Sequence, residues 1–320
     1  MFKQHPFATA MSLLTVILFA RAVSGQDFPN KPIRFVAAAP GGSADIVARL
    51  ISPGITSSIG QQVIIDNRAI GLIQAEIVSK AQPDGYTLMI AGSSTIILPL
   101  MQKTSYDPIR DFAPITLAVT TPSIVVVNPS VPIKSIKELI ALAKARPDEL
   151  NYGSSGNGSS GHFAGELFKS MAGVKLVHIA YKGNGPALLS LVAGQIQLGF
   201  PTATSVTPHV NSGKLRGIAV TSTEPTALAP GMPTVAAAGL PGYESVAMTL
   251  VLAPAKTPAT IVQRLNREIV RVIKQPDIRE KLFGLGVEAV GSSSEHLAAT
   301  MKAESVRLSK VIRDAGIKGE

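Results

Sequence analysis

The chain contains no cysteine and no tryptophan, and aromatic residues make up 5% of it. Without cysteine no disulfide can staple the fold, so stability must come from a core, and 320 residues are enough to build one. The same absence excludes a lipid anchor on a signal-cleavage cysteine. Charged residues reach only 16%, and they are scattered, without Lys/Arg blocks or interleaved aromatics. A nucleic-acid interface concentrates its charge, so that partner class is excluded. Long apolar runs are missing as well. Ala8 to Ala20 falls short of the roughly 20 apolar residues that a spanning helix needs. What remains is an ordinary globular composition, 46% hydrophobic, sized for one large or two medium α/β domains.

Residues 1–25 read as an export signal. Met1-Phe2-Lys3-Gln4-His5 is a weakly basic start, the apolar stretch follows, and Ala22, Ser24 and Gly25 supply small residues for cleavage. The mature chain is expected to begin near Gln26 and to move freely in the periplasm. Removing Lys3 and Arg21 leaves 28 basic against 21 acidic residues, a net +7. That balance is compatible with a general attraction for anionic solutes.

Beyond the signal, apolar runs alternate with helical patterns. Strands are expected at Ile33–Ala38, Gln62–Asp66 and Thr87–Ala91, with helices at Ala44–Ile59 and Ile73–Ala81 between them. This spacing implies βαβ units and a mostly parallel sheet. Further strands are expected at Ile115–Leu117 and Ser123–Val127. A capping box at Ser135 and Glu138 opens the next helix. A second βαβ block follows, then a helical tail over Pro258–Lys274, Pro276–Gly284 and Ser294–Ala315. The pattern suggests two lobes, one formed by residues 26–127 and 247–320, the other by 128–246.

Two glycine-rich turns stand where a strand hands over to a helix. Pro40-Gly41-Gly42-Ser43 precedes the first helix. Gly153-Ser154-Ser155-Gly156-Asn157-Gly158-Ser159-Ser160-Gly161-His162 precedes another. A helix N-terminus leaves backbone N–H groups without partners and carries partial positive charge. Glycine lets a ligand approach that backbone, which makes an anion site from main-chain donors. Either turn alone reads more readily as a tight connection. One in each lobe could grip both ends of a small dianion. Neither is a P-loop, because no Lys-Ser/Thr pair follows, and neither is a G-x-S-x-G elbow. His162 and Glu166, one helical turn apart, could ligate a metal, but no third ligand has suitable spacing, so capping or packing is favoured. His178 reads as a hydrogen-bonded core residue, and Asp45 as a first-turn carboxylate bracing its loop.

Further motifs run the length of the chain: Lys31-Pro32-Ile33-Arg34, Pro83-Asp84-Gly85-Tyr86, Tyr106-Asp107-Pro108, Gly165-Glu166-Leu167-Phe168, Tyr181-Lys182-Gly183 and Pro233-Thr234-Val235. With the first turn, this set resembles the Bug (TctC-like) extracytoplasmic solute receptors. The resemblance implies a two-lobed type II periplasmic-binding-protein fold with a ligand cleft between the lobes. It implies capture of a small organic acid for the membrane permease subunits of a tripartite tricarboxylate transporter, through main-chain N–H groups, hydroxyls and bridging waters. No cofactor, metal or catalytic residue is called for, and a monomer is expected. The ligand-facing set it implies is Pro40, Gly41, Gly42, Ser43 and Asp45 from one lobe, and Ser154, Asn157, Ser159 and Ser160 from the other, together with Ser93 and Thr202. Three stretches depart from the family pattern: Ala69–Gln74, Phe200-Pro201-Thr202 and Met248-Thr249-Leu250. All three are expected near the cleft rim or hinge. Two other readings stay open, a sensor presenting the same liganded fold to a signalling partner and a hydrolase using a serine within Ser154–Ser160. The second lacks a His/Asp partnership in the sequence.

Overall fold

The computed structural model describes residues 28–38, 40, 42–68 and 72–314. The expected export signal over residues 1–25 and the Ala69-Ile70-Gly71 part of the altered loop lie outside the described residues. In chain order the strands are β1 (Ile33–Ala37), β2 (Val63–Asn67), β3 (Thr87–Gly92), β4 (Phe112–Pro122), β5 (Ile124–Val127), β6 (Asn151–Ser154), β7 (Val177–Ala180), β8 (Leu198–Gly199), β9 (Arg216–Val220), β10 (Val246–Pro254) and β11 (Glu288–Ala289). The helices are α1 (Ser43–Ile59), α2 (Leu72–Ser79), α3 (Ser94–Met101), α4 (Ile136–Ala145), α5 (Ser160–Ala172), α6 (Asn184–Val192), α7 (Ala203–Asn211), α8 (Ala259–Ile273), α9 (Pro276–Gly284) and α10 (Ser294–Asp314).

Two sheets organise the chain, one six-stranded in the order β11-β4-β10-β3-β1-β2 and one five-stranded in the order β7-β6-β8-β5-β9. Each anchors one lobe. β1 and β3 are near-continuous apolar runs because helices cover both faces of the first sheet. On one face, α8 lays down Val262, Leu265, Ile269, Val272 and Ile273, a helical stripe against the sheet. It crosses α1 closely at Gly54, where a Cβ would stand 2.7 Å from Val272 Cγ1.

The sheets are mixed, which corrects the expectation of mostly parallel pairing. β1 pairs β2 and β3 in parallel, but β10 runs antiparallel to both β3 and β4. In the second sheet β5 is antiparallel to β8 and β9. The reversal follows from the connections: β10 returns from one lobe to the other and therefore enters the first sheet against the direction of β3. β5 also sits one sheet further on than expected. Ile124–Val127 belongs to the five-stranded sheet, directly after the break at Pro122-Ser123. Its β-branched run marks a strand but carries nothing about which partner it joins. α3 is absent from the sequence expectations because Pro99 interrupts the short apolar run that follows Ser94 and Thr95.

The chain passes between lobes near Ser123 and again near Ser245, and Thr221 ties these passages together. Its fully buried hydroxyl accepts from Ser123 N at 2.8 Å and stands 2.5 Å from the Ser245 carbonyl. Ser245 N donates in turn to the Thr221 carbonyl at 2.9 Å. Adjacent to this hub, Ser123 and Thr202 form an antiparallel bridge.

Candidate functional site

A cavity of about 470 Å³ opens between the lobes. Five helices begin at its wall, with capping residues Gly42 (α1), Ser93 (α3), Ser159 (α5), Gly183 (α6) and Thr202 (α7), all of which border it. The sequence explains the local geometry. Glycine at position 42 offers no side-chain cap, so the first N–H groups of α1 stay unclaimed by one. Gly183 holds φ at 114°, a conformation that side-chain-bearing residues rarely adopt. Ser159 accepts from His162 N at 3.2 Å, which leaves its hydroxyl hydrogen able to donate.

Electrostatics favour an anion. Each helix start carries about half a positive charge. No Asp or Glu borders the cavity among the described residues, and Lys182 is the single charged residue that does. The Ser43 hydroxyl is buried from solvent and has no hydrogen-bond partner among the described residues, which leaves it able to donate to a ligand.

Of the residues singled out in the sequence, Pro40, Gly42, Ser43, Ser93, Ser154, Ser159, Ser160 and Thr202 border this one cavity. Gly41 lies outside the described residues. Asp45 is not among the bordering residues. It is buried behind the turn, where it accepts from Asn67 Nδ2 at 2.8 Å and pairs with Arg49 at 3.0 Å. Asn67 also donates to the Ala38 carbonyl at 2.6 Å, so this carboxylate braces the loop through its neighbours. Asn157 is exposed and also does not border the cavity. Ser93 accepts from Met248 N at 2.9 Å, which ties the start of α3 to β10. Of the departing stretches, Phe200, Pro201, Thr202, Met248 and Thr249 reach the cavity. Gln74 does not, but instead donates to the Val36 and Ile90 carbonyls at 2.9 and 2.6 Å, stitching β1 to β3.

One arrangement was not legible in the sequence. Ser154 Oγ lies 2.7 Å from His178 Nε2, and the His178 ring stacks on His162 with centroids 4.1 Å apart. His162 Nδ1 accepts from Gly158 N at 3.1 Å, so the two imidazoles pin both ends of the turn. Burial, with His162 beside it, pushes the His178 pKa down to about 4, which leaves the ring neutral at pH 7. Residues 154, 158, 162 and 178 meet only because β6 and β7 pair in register, Tyr152 opposite His178. The arrangement supplies the serine and the histidine of a nucleophilic triad but not its carboxylate. No carboxylate hydrogen-bonds His178 among the described residues, and its other neighbour is the Tyr152 ring, stacked at 4.9 Å. Glu166 is engaged elsewhere, with the Tyr152 hydroxyl at 2.5 Å and Lys169 at 2.7 Å.

Comparison with known proteins agrees with this geometry. Residues 47–317 match the profile of the tripartite tricarboxylate transporter family receptor. A UPF0065 protein from the tcbD-tcbE intergenic region of Pseudomonas sp. strain P51 is 39% identical over 297 residues, 91% of this chain and 88% of that protein. Among solved structures, R. palustris Rpa4515 with adipate superposes with a TM-score of 0.86 at 35% identity, covering 91% of this chain and 99% of that one. MatC from Rhodopseudomonas palustris with bound malate gives 0.83 at 30% identity, covering 89% and 100%. With its two lobes, the type II periplasmic-binding-protein fold and a cleft ringed by helix N-termini, the chain belongs to the Bug (TctC-like) receptors of the tripartite tricarboxylate transporter family.

Proposed function

We propose that this chain is a periplasmic receptor that captures a small carboxylate between its lobes and delivers it to the permease subunits of a tripartite tricarboxylate transporter. The observation that carries this reading is the convergence of five helix N-termini on a cavity that, among the described residues, no carboxylate borders. The carboxylate oxygens accept from main-chain N–H groups and from hydroxyls such as those of Ser43, Ser159 and Ser160. Charge-assisted bonds of this kind are the stronger class. The mechanism is binding followed by closure of the lobes, with no covalent bond made or broken. The adipate and malate held by two structural neighbours support the same ligand chemistry. The receptor is proposed to act as a monomer.

A thermal-shift screen of purified mature protein against organic acids tests the proposal. A ligand at 100 times its Kd adds about 2.7 kcal/mol of stability, and the melting midpoint rises by several degrees. Stabilisation by sugars or cationic peptides, with no response to any carboxylate, overturns the reading.

A further inference from the structure

We infer that the acid bound here carries an unhydroxylated hydrocarbon body, seated in an apolar recess of the second lobe. The inference rests on the carboxylate reading and names the part of the ligand that the helix ends do not hold. Gly153 and Gly199 face each other as partners on β6 and β8, and both border the cavity. Gly199 contributes no side chain, and the wall there is Leu188, Leu191 and Ile196, the last filling the space that a Cβ on Gly153 would take; all three border the same cavity and are otherwise buried. The strands here lie inside the sheet, β6 between β7 and β8, and β8 between β6 and β5. Their main-chain donors and acceptors are therefore spent on the ladder. A ligand hydroxyl placed in the recess loses its water and gains no partner, whereas a methylene gains by leaving water. Lys182, the one charged residue at the cavity among the described residues, is exposed and lies on the loop ahead of α6.

Titration calorimetry on the unmodified chain tests this with two series, straight-chain acids from succinate to adipate and the hydroxylated acids malate and citrate. Each added methylene is expected to tighten binding about fourfold until the recess is full, and malate to bind at least tenfold more weakly than succinate. In Gly199→Ala the new Cβ meets Leu191 Cδ2 and Pro201 Cδ at 3.5 Å, ordinary contact distance, so the methyl fills the recess without forcing the backbone. Its affinity is expected to peak at a shorter chain length than in the unmodified protein. A series flat with chain length, or malate or citrate binding more tightly than the unhydroxylated acids, overturns the inference and leaves the carboxylate reading standing. Failure of every acid in both series overturns the two together.

Discussion

His178 shows how one half-buried side chain can link the binding turn to pH. Its neutral ring holds Ser154 Oγ at 2.7 Å, and its pKa is lowered to about 4 from the ordinary 6.5. Between these values the unfolded chain binds a proton that the folded chain refuses, so stability falls as pH drops from 6.5 towards 4 and levels off below. Thermal melts across this range are expected to show that decline, and His178→Asn to flatten it. An undiminished pH dependence in the variant counts against the assignment. The sequence identified His178 as a hydrogen-bonded core residue, and the hydrogen bond is there. Its partner was not legible, since Ser154 is 24 residues away and meets it only across the β6–β7 ladder.

At the scale of elements, the hydrophobic period and the turn residues carried most of the information. α1, α8, α9 and α10 lie close to their expected spans because capping, proline and stripe signals are local. α3 escaped notice because, after Ser94 and Thr95, its residues are apolar on every side and include Pro99, which removes the contrast on which periodicity depends. Helix packing was equally silent in the sequence. Gly54 in α1 looks like a helix weakness, yet a side chain there would strike Val272 of α8, which is 1% exposed. Gly54→Val is expected to lower stability by about 1–3 kcal/mol through overpacking, measured by urea unfolding. Adding Val272→Ala should recover part of the loss, and strict additivity of the two changes would refute direct contact.

For the whole molecule, what matters is how the lobes meet. Gly158, with φ of 71°, packs against Leu98 of α3, so the second-lobe turn touches the first lobe beside the cavity. A Cβ at position 158 would collide with the Leu98 side chain. Gly158→Ala is therefore expected to weaken ligand binding by about tenfold or more by obstructing closure, on top of roughly 1 kcal/mol of local backbone strain. Calorimetry alongside urea melts separates the two, and an affinity loss no larger than the stability loss predicts would contradict a closing contact.

The sequence by itself determined the two Gly/Ser turns, the helices they start and the family to which the chain belongs, because each depends on residues adjacent in the chain. Tertiary structure alone decided that Ser43, Ser93, Ser159, Asn184 and Thr202 share one cavity, that Asp45 stands behind it, and that β5 joins the second sheet. Those outcomes depend on strand order and on two passages tied at Thr221. Pairing across a sheet is a choice of partner, and local propensity contains no term for it.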